Sequence, residues 1–446
     1  MTEEIALSNL NVSEYEKKPL KELTLKDKDK KLEVFGWVLS SRQVGKKGVF
    51  IDLYAHFKTI KCVYFPETET AQTISPWSSI TVYGEVKENF TEDKFDFEFN
   101  VKKLKIHSIA PSFPINKDTQ AFQKLELGHL YMRMPERMLF LRARSYLMQC
   151  FREFFFKEDC IEISPPTFVG TQVEGGSTLF KLDYFGKDAF LTQSSQLYLE
   201  SVVPVCMKAF CMVNSYRAEK SHTTRHLTEY LHVEAELADI KFENLLCFIE
   251  NMVHFVSTKF YEKFSEEIKE IYGEDFQFVK FDKPFKRLEY KDAIEFLKST
   301  GYTKETGIPF ELGDDIPDAA EVYICEKYGN NTPVFLTNFL TCHKPFYMKF
   351  SEDPKYTESV DLLWPYLGEV VGGSMRKESK EELVEALKAE GLNLEDYTFY
   401  LDLAEYGAHS KGGFGLGFER LLMGLMRYKN VNAACLYPRF VTRCNP

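Results

Sequence analysis

Short apolar runs alternate with turn residues between positions 31 and 110. The runs cover residues 32–39, 49–54, 60–65, 80–86 and 95–106. In the last run, Phe95, Phe97, Phe99 and Val101 alternate with polar residues, and this period of two predicts a strand with one buried face. Five short strands in about 80 residues predict a small antiparallel β-barrel.

The period changes beyond the barrel segment. The pattern from residue 136 to 157 predicts a helix, because three- and four-residue steps separate Leu139, Arg142, Tyr146, Cys150 and Phe154. A second amphipathic helix is predicted over residues 378–390. Strands and helices follow one another without strict alternation in the rest of the chain, so we predict the α+β class.

These changes of pattern divide the chain into four segments. Residues 1–30 are polar and dense in mixed charge, and we expect a short polar arm exposed to solvent. The barrel occupies residues 31–110. Residues 111–135 hold three prolines and show no sustained period, so they are the candidate hinge. Residues 136–446 form the larger domain.

The composition places the chain among globular proteins of the cytoplasm. Charged residues make up 28% and hydrophobic residues 44% of the 446 positions, and no apolar stretch reaches the roughly 18 residues of a membrane span. The acidic N-terminus has no features of a signal peptide. Ten single cysteines without a Cys-x-x-Cys pair predict reduced thiols. A net charge of −11 argues against binding nucleic acid through bulk charge, although a local basic face is still compatible with it.

Residues 208–237 carry the densest group of candidate functional side chains, on two β-like runs joined by a polar turn at 219–227. The polar side chains of this hairpin are Arg217 and Glu219 on the first run, Arg225 and His226 on the turn, and Tyr230, His232, Glu234 and Glu236 on one face of the second run. An aromatic ring with several cations suits a nucleotide, because the ring stacks on a base and the cations bind phosphates. A solvated hairpin with charge pairs fits the same pattern.

A glycine-rich stretch, 412–417, precedes an apolar run of helical period, and Arg420 falls in the first helical turn. Glycines let a ligand approach the backbone, and a helix N-terminus favours anions, so this stretch favours polyphosphate. A bulged strand packed on a helix is the alternative. The stretch is not a P-loop, because no Gly-Lys-Ser/Thr sequence follows.

Two further segments add candidate ligands. In residues 361–376, Asp361 and Glu369 could hold Mg²⁺ through carboxylate oxygens, and Gly372 precedes Arg376, for which a structural salt bridge is equally compatible. In the loops 174–177 and 193–196, a carboxylate beside two glycines could close over an ammonium group, although ordinary loop chemistry explains these residues too.

Taken together, these segments resemble the class II aminoacyl-tRNA synthetases of the aspartate-like subgroup, and within it the asparaginyl-tRNA synthetases. Motif 1 corresponds to the helix 136–157, motif 2 to residues 216–236 and motif 3 to residues 415–420. The barrel looks like the family's OB-fold anticodon domain through 35–38, Arg42, Gly45 and 50–52. The resemblance covers residues 31–446. It implies an N-terminal OB-fold barrel and a catalytic domain with an antiparallel sheet flanked by helices.

The resemblance also implies the reaction and its partners. The carboxylate of L-asparagine attacks the α-phosphate of ATP to give asparaginyl-adenylate, and the 3′ end of tRNA(Asn) then accepts the asparaginyl group. ATP and Mg²⁺ are the expected cofactors. We expect a homodimer formed through motif 1 and no membrane association.

Four groups of site residues follow from the same resemblance. The ATP-binding residues would be Arg217, Glu219, Arg225, His226, Leu227, Tyr230, Glu369, Gly417 and Arg420, with Arg217 and Arg420 as the catalytic residues. The asparagine-binding residues would be Glu174, Ser194, Gln196, Glu234, Gly372 and Arg376. Asp361 and Glu369 would bind Mg²⁺, and Arg42, Phe50 and Lys61 would contact the tRNA anticodon.

Two positions favour asparagine over aspartate. Leu199 stands where the aspartate enzymes have Lys, and Glu234 stands where they have Asp. An aspartate side chain would bring a second carboxylate against Glu234, and two like charges ~4 Å apart repel by about 4 kcal/mol at an effective dielectric constant of ~20. The asparagine amide instead accepts from Arg376 and donates to Glu234. Lys411 departs from the relatives, which often have His there.

Three other functions remain open at this point. One is an aspartyl-tRNA or non-discriminating synthetase. Another is a catalytically silent synthetase-like protein that binds tRNA or regulates a partner, which the intact Arg217, Glu219 and Arg420 disfavour. An asparagine synthetase on the same fold would have no use for an anticodon barrel.

Overall fold

The structure is a computed structural model that describes residues 12–66, 72–89, 95–173, 179–221 and 223–445. The boundary between its two compact units falls between Met134 and Pro135. Within the described ranges, none of the helices combines the length and the apolar character that crossing a lipid bilayer requires.

The first unit contains a closed barrel. Its strands are β1 (Glu16–Lys17), β2 (Leu32–Val44), β3 (Gly48–Ala55), β4 (Lys58–Tyr64), β5 (Ser79–Glu88) and β6 (Phe97–Ser108). Strand β2 pairs with both β3 and β5, which closes the sheet. The five predicted strands are confirmed, and Phe97, Phe99 and Val101 point into the core as the alternation predicted. The pairing of β4 with β6 is parallel, so the barrel is not purely antiparallel.

Residues 12–30 precede the barrel and contact it at several points. Leu20 and Leu23 are buried in the barrel core, and β1 pairs in parallel with β2. The buried carboxylate of Asp27 binds the ammonium groups of Lys18 and Lys30. Most residues from 12 to 30 are exposed, and Leu20, Leu23 and Asp27 are the buried ones. Two leucines three residues apart are too short a pattern to reveal this burial from the sequence. Residues 1–11 lie outside the described ranges.

The candidate hinge, residues 111–135, includes two short helices, α1 (Ala121–Glu126) and α2 (Gly128–Tyr131). A single turn or two of helix is too short to produce an apolar period, so the sequence pattern did not predict them.

The second unit is built on an eight-stranded sheet. The helices of this unit are α3 (Pro135–Lys157), α4 (Gln196–Cys206), α5 (Phe242–Tyr272), α6 (Tyr290–Ser299), α7 (Asp318–Lys327), α8 (Lys380–Ala389), α9 (Thr398–Glu405) and α10 (Phe418–Met426). Its strands are β7 (Ile161–Glu162), β8 (Phe168–Val169), β9 (Lys181–Tyr184), β10 (Lys187–Leu191), β11 (Lys208–Tyr216), β12 (Glu229–Ala238), β13 (Lys286–Glu289), β14 (Val334–Thr337), β15 (Ser359–Trp364), β16 (Gly368–Met375) and β17 (Lys411–Gly417).

The order of strands in the large sheet is β13-β14-β15-β16-β17-β12-β11-β7, and β8, β10 and β9 form a small separate sheet. The pairings from β14 through β11 are antiparallel, whereas the edge strands β13 and β7 pair in parallel. This confirms the predicted α+β class with an antiparallel catalytic sheet.

The helices α3 and α5 cover one face of this sheet. Val233, Ala235 and Leu237 of β12 are buried in the same apolar cluster as Phe151 of α3 and Ile249 of α5. Because successive side chains of a strand point to opposite faces, the polar residues between them are turned away from these helices. The packing of the core thus determines which side chains of β12 point to the opposite face of the sheet.

Candidate active site

A cavity of about 650 Å³ lies on the sheet face opposite to α3 and α5. The even-numbered side chains of β12, from Tyr230 to Glu236, line it, as the alternation predicted. Strands β16 and β17, and the segment between β11 and β12, supply much of the remaining lining.

The glycines of β17 lie beneath the polar side chains of β12. Gly413 pairs with Glu236, and Gly415 pairs with Glu234. A Cβ atom at Gly413 would overlap Oε1 of Glu236, and one at Gly415 would overlap the ring of His232. The glycine-rich stretch therefore makes room for these side chains, and a helix follows it directly, with Arg420 in the first turn of α10.

The cavity brings together most of the residues that the sequence singled out. Those in its lining are Ser194, Gln196, Arg217, Arg225, His226, Leu227, Tyr230, Glu234, Asp361, Glu369, Gly372, Arg376, Gly417 and Arg420. Glu219 lies beside the lining, with Oε1 3.9 Å from Nη1 of Arg217. Glu174 lies outside the described residues.

Two guanidinium groups define one end of the cavity. The guanidinium of Arg217 lies 5.7 Å from the centroid of the Tyr230 ring, and Nη1 of Arg420 lies 3.0 Å from Oε2 of Glu369. Burial and the charge of Arg420 lower the pKa of His226 below its usual value, so His226 is neutral near pH 7. This end of the cavity combines two cations, a neutral imidazole and an aromatic ring.

Arg225 lines the cavity, but its guanidinium is bound to two carboxylates of α7. Its Nη1 donates to Oε2 of Glu321 at 2.7 Å, and its Nη2 contacts Asp318. Both carboxylates belong to α7, and the backbone oxygen of Leu367 accepts a further hydrogen bond of 3.3 Å from Nη1. These contacts anchor the segment between β11 and β12 to α7, which the sequence did not predict.

Asp361 and Glu369 meet above Gly372. A Cβ atom at Gly372 would lie 3.2 Å from Oε1 of Glu369 and 3.5 Å from Oδ1 of Asp361, so the missing side chain leaves a space with a carboxylate oxygen on two sides. Oxygen donors of this kind suit Mg²⁺. Among the described residues, no group of three or more His, Cys, Asp or Glu could hold a metal, so two carboxylates would need further oxygens from water or a phosphate.

The electrostatic environments of these two carboxylates differ. Burial and the carboxylate of Glu369 raise the pKa of Asp361, although Lys344, whose Nζ lies 3.1 Å from Oδ2, opposes this shift. Burial would also raise the pKa of Glu369, but Arg420, Arg217 and Arg225 outweigh burial and lower it. Glu369 is therefore the more strongly ionised of the two.

Glu234 occupies the other end of the cavity and is held by short hydrogen bonds. Ser194 Oγ donates to its Oε1 at 2.5 Å, and the backbone N–H of Ser195 donates to both oxygens, at 3.1 and 3.0 Å. A carboxylate oxygen has two lone pairs, so Glu234 keeps the capacity to accept from a ligand. Its side chain is 3% exposed, which strengthens its interaction with any charge nearby.

Arg376 reaches the same cavity, but it is paired with Glu236 and not with Glu234. Its Nη2 contacts Oε1 of Glu236, its Nε lies 3.3 Å from Oε2, and its Nη1 donates to Ser374 Oγ at 2.7 Å. The sequence placed Glu234 and Glu236 on one face, and alternation alone could not decide which of them binds the arginine.

Three buried residues lie behind this pair. The sequence analysis missed Glu200 and Tyr400, and it noted Lys411 only as a departure from the relatives. Glu200 Oε1 accepts from Gln196 Nε2 at 2.9 Å, and Tyr400 and Lys411 bind the same carboxylate. The spacing of four between Gln196 and Glu200 on a helix was the one signal available. Tyr400 and Lys411 are distant in the chain and gave none.

The barrel carries the remaining candidates. The guanidinium of Arg42 and the ammonium of Lys61 lie 5.2 and 4.9 Å from the centroid of the half-buried Phe50 ring. Lys61 is itself buried and binds Glu98 at 2.6 Å. The three predicted anticodon residues thus form one cluster on the side of β2, β3 and β4 that faces away from the barrel core, with Lys61 buried beneath it.

Comparison with known proteins adds the family. Residues 121–441 match the family of class II tRNA synthetases for D, K and N, and residues 32–106 match the OB-fold nucleic acid binding domain. The chain is also 50% identical over 445 residues to a protein of Encephalitozoon cuniculi named a probable cytoplasmic asparagine–tRNA ligase, covering 99% of this chain and 97% of that protein. The chain belongs to the asparaginyl-tRNA synthetases of class II.

Solved structures of asparaginyl-tRNA synthetases share the fold. The Entamoeba histolytica enzyme in complex with asparaginyl-adenylate is 36% identical, with a TM-score of 0.86, and the match covers 94% of this chain and 97% of that one. The Pyrococcus horikoshii enzyme complexed with asparaginyl-adenylate is 32% identical, with a TM-score of 0.88, and the match covers 97% of this chain and 100% of that one.

Proposed function

We propose that this chain ligates L-asparagine to tRNA(Asn) at the expense of ATP, by way of asparaginyl-adenylate. The observation that carries the proposal is the cavity itself, in which two phosphate-seeking guanidiniums, Arg217 and Arg420, share one space with Glu234 and Arg376. Its relatives are named cytoplasmic, and we place this chain in the same compartment.

In the first step, a carboxylate oxygen of asparagine attacks the α-phosphorus of ATP. The bond from that phosphorus to the bridging oxygen breaks, and pyrophosphate leaves with the electron pair. Arg217 would hold the α-phosphate, and His226 and Arg420 would hold the β- and γ-phosphates. The chain supplies position and charge stabilisation here and needs no side-chain nucleophile.

The adenosine part of ATP would lie between motif 2 (residues 216–236) and motif 3 (residues 415–420). Tyr230 would stack on adenine, Glu219 would accept from its amino group, and Leu227 and Gly417 would border the ring. Arg225 would act indirectly, since its guanidinium is bound to Glu321 and Asp318. Its proposed contribution is to hold the segment that carries His226.

Asp361 and Glu369 would hold Mg²⁺. Bound there, the ion would neutralise charge on the phosphate oxygens and align them. In this structure Lys344 forms an ion pair with Asp361, and Arg420 forms one with Glu369. Each carboxylate would therefore bind both its cationic side chain and the Mg²⁺ ion.

The side-chain amide of asparagine would be recognised at the Glu234 end. Its NH₂ group would donate to Glu234, and its oxygen would accept from Arg376. Glu174 and Gln196 would bind the α-ammonium group. Ser194 would complete the wall, and Gly372 would allow close approach. An aspartate would put its carboxylate about 4 Å from Glu234, a repulsion of about 4 kcal/mol or roughly a thousandfold in binding.

The barrel would read the anticodon. Phe50 would stack on one base, and stacking of a base on an aromatic side chain contributes about 1–3 kcal/mol. Arg42 and Lys61 would supply positive charge beside it.

We also propose a homodimer formed through α3 and β7. Ile161 of β7, an edge strand of the large sheet, is 52% exposed, and Phe156 near the end of α3 is 53% exposed. Edge strands with exposed apolar residues are typical sites of pairing with another chain. Light scattering at micromolar concentration should give twice the chain mass, and a monomer at every concentration would refute the dimer.

The experiment that tests the ligase proposal is the exchange of labelled pyrophosphate into ATP with each amino acid in turn. Asparagine should support exchange, and aspartate should be about a thousandfold less effective. Exchange supported equally by both amino acids would refute the specificity, and exchange with neither would refute the activity.

A further inference from the structure

Behind the wall of the cavity lies a closed group of four buried charges. Glu200 and Glu236 provide two carboxylates, and Arg376 and Lys411 provide two cations. Their side chains are between 0% and 6% exposed. Buried carboxylates are tolerated only when they are paired, and in this group the charges balance.

The pairing within the group is specific. Nζ of Lys411 lies 3.1 Å from Oε2 of Glu200, whereas Arg376 makes its close contacts with Glu236 and stays 3.8 Å from Glu200 Oε1. Lys411 also holds Arg376 through the main chain, because the Lys411 carbonyl oxygen accepts from the Arg376 backbone N–H at 2.9 Å.

Only part of this group reaches the open space. Of the four charged residues, Arg376 and Glu236 line the cavity, and so does Gln196, which donates to Glu200. Within the part of the chain that the structure describes, neither Lys411 nor Glu200 belongs to the lining. Lys411 is buried behind this lining, so its effect on a ligand of the cavity would pass through the residues in front of it.

We propose that Lys411 is a positioning residue for asparagine. By neutralising Glu200, it leaves Arg376 bound to Glu236 and directed into the cavity. Without Lys411, two carboxylates compete for one guanidinium, and Arg376 moves toward Glu200, because that carboxylate is already within 4 Å of its Nε. This inference rests on the proposed function, since it assigns Lys411 a part in binding the asparagine of that reaction.

The test measures pyrophosphate exchange by purified full-length variants. Lys411→Met should raise KM for asparagine about tenfold or more, with kcat and KM for ATP within about twofold of the original protein. The double variant Lys411→Met with Glu200→Gln removes one charge of each sign, and it should bring KM for asparagine back to within about threefold.

A matched control is Lys377→Met. Lys377 is also buried, at 3% exposure against 5% for Lys411, but its Nζ donates to the carbonyl oxygen of Met348. Loss of a buried lysine as such should lower the unfolding temperature of both variants, whereas only Lys411→Met should raise KM for asparagine.

Two results would overturn the inference: an unchanged KM for asparagine in Lys411→Met, or a double variant no better than the single one. If Lys411→Met does not fold, Lys411→Gln replaces it with the same expected and overturning results, because glutamine keeps a donor for Glu200 but removes the charge. Absence of asparagine-dependent exchange in the unmodified chain would instead refute the proposed function.

Discussion

Nη1 of Arg225 and Oε2 of Glu321 form a buried ion pair of 2.7 Å between residues 96 positions apart. The same Oε2 accepts from the backbone N–H of Glu369 at 3.0 Å. Glu321 therefore fixes two parts of the proposed ATP site at once, the segment with His226 and the start of β16.

Glu321→Gln should weaken ATP binding without changing asparagine binding. The variant removes the charge that holds Arg225 in place, and we expect KM for ATP to rise about tenfold, equivalent to ~1.4 kcal/mol. Glu326→Gln, on the exposed side of the same helix, should leave KM for ATP unchanged. Equal effects of the two substitutions on KM for ATP would contradict the assignment of Glu321.

Glu234→Gln should reduce discrimination between the two amino acids. The new NH₂ group would face the donor of the asparagine amide, and the charge that repels aspartate would be gone. We expect exchange with asparagine to fall by about a hundredfold. The ratio of asparagine to aspartate activity should fall by at least about a hundredfold, because the loss of ~4 kcal/mol of repulsion raises the activity with aspartate at the same time. Glu229→Gln, on the opposite face of β12, is the control and should leave the ratio unchanged. An unchanged ratio of asparagine to aspartate activity in Glu234→Gln would contradict the prediction.

Phe50→Ala should weaken tRNA binding and spare the chemistry of activation. Loss of one stacked base corresponds to about 1–3 kcal/mol, or roughly 5- to 150-fold in Kd. Filter binding measures the Kd, and asparagine-dependent pyrophosphate exchange without tRNA should stay within about twofold. Phe57→Ala removes an exposed ring of the same barrel and serves as the comparison. A Kd that changes equally in both variants would argue against stacking at Phe50.

Asp27→Asn should make the barrel less stable at neutral pH but not in acid. Hydrogen bonds from Lys18 and Lys30 hold the pKa of Asp27 far below its usual value. A carboxyl with a lowered folded pKa contributes stability above its unfolded pKa of about 3.9 and loses it as the pH falls below that value. We expect a loss of about 2 kcal/mol at pH 7, and a smaller difference from the original protein below about pH 4.

Urea unfolding followed by tryptophan fluorescence measures this effect, because Trp37 and Trp77 lie in the barrel unit. Asp29→Asn is the control, since the ion pair of Asp29 with Lys87 is exposed and such pairs contribute little. A pH-independent loss in Asp27→Asn would show that packing, and not charge, explains the effect.

The sequence predicted the elements whose pattern repeats. The alternation in 95–106 and the three-to-four-residue period in 136–157 were enough for β6 and α3, and the same alternation placed Tyr230 and Glu234 on one face. The period alone could not identify the ion-pair partner of Arg376, because Glu234 and Glu236 lie on the same face of β12. Arg376 binds Glu236 because β17 lies between β12 and β16 and sets their relative position.

Other features depend on contacts between distant parts of the chain. Glu321 reaches Arg225, and Lys411 reaches Glu200, only after α7 and β17 have been placed by the sheet. No local pattern carries this information. The burial of Leu20 and Leu23 likewise depends on the pairing of β1 with the barrel. Because β1 has only two residues, the sequence shows no alternation from which this strand could be predicted.

We propose that Glu234 and Arg376 together bind the side-chain amide of asparagine. A crystal structure with a non-hydrolysable asparaginyl-adenylate analogue tests it most directly. We predict the amide nitrogen within hydrogen-bonding distance, about 3 Å, of a Glu234 oxygen and the amide oxygen equally close to an Arg376 nitrogen. An amide that contacts neither residue, with the adenylate bound elsewhere in the cavity, would contradict it.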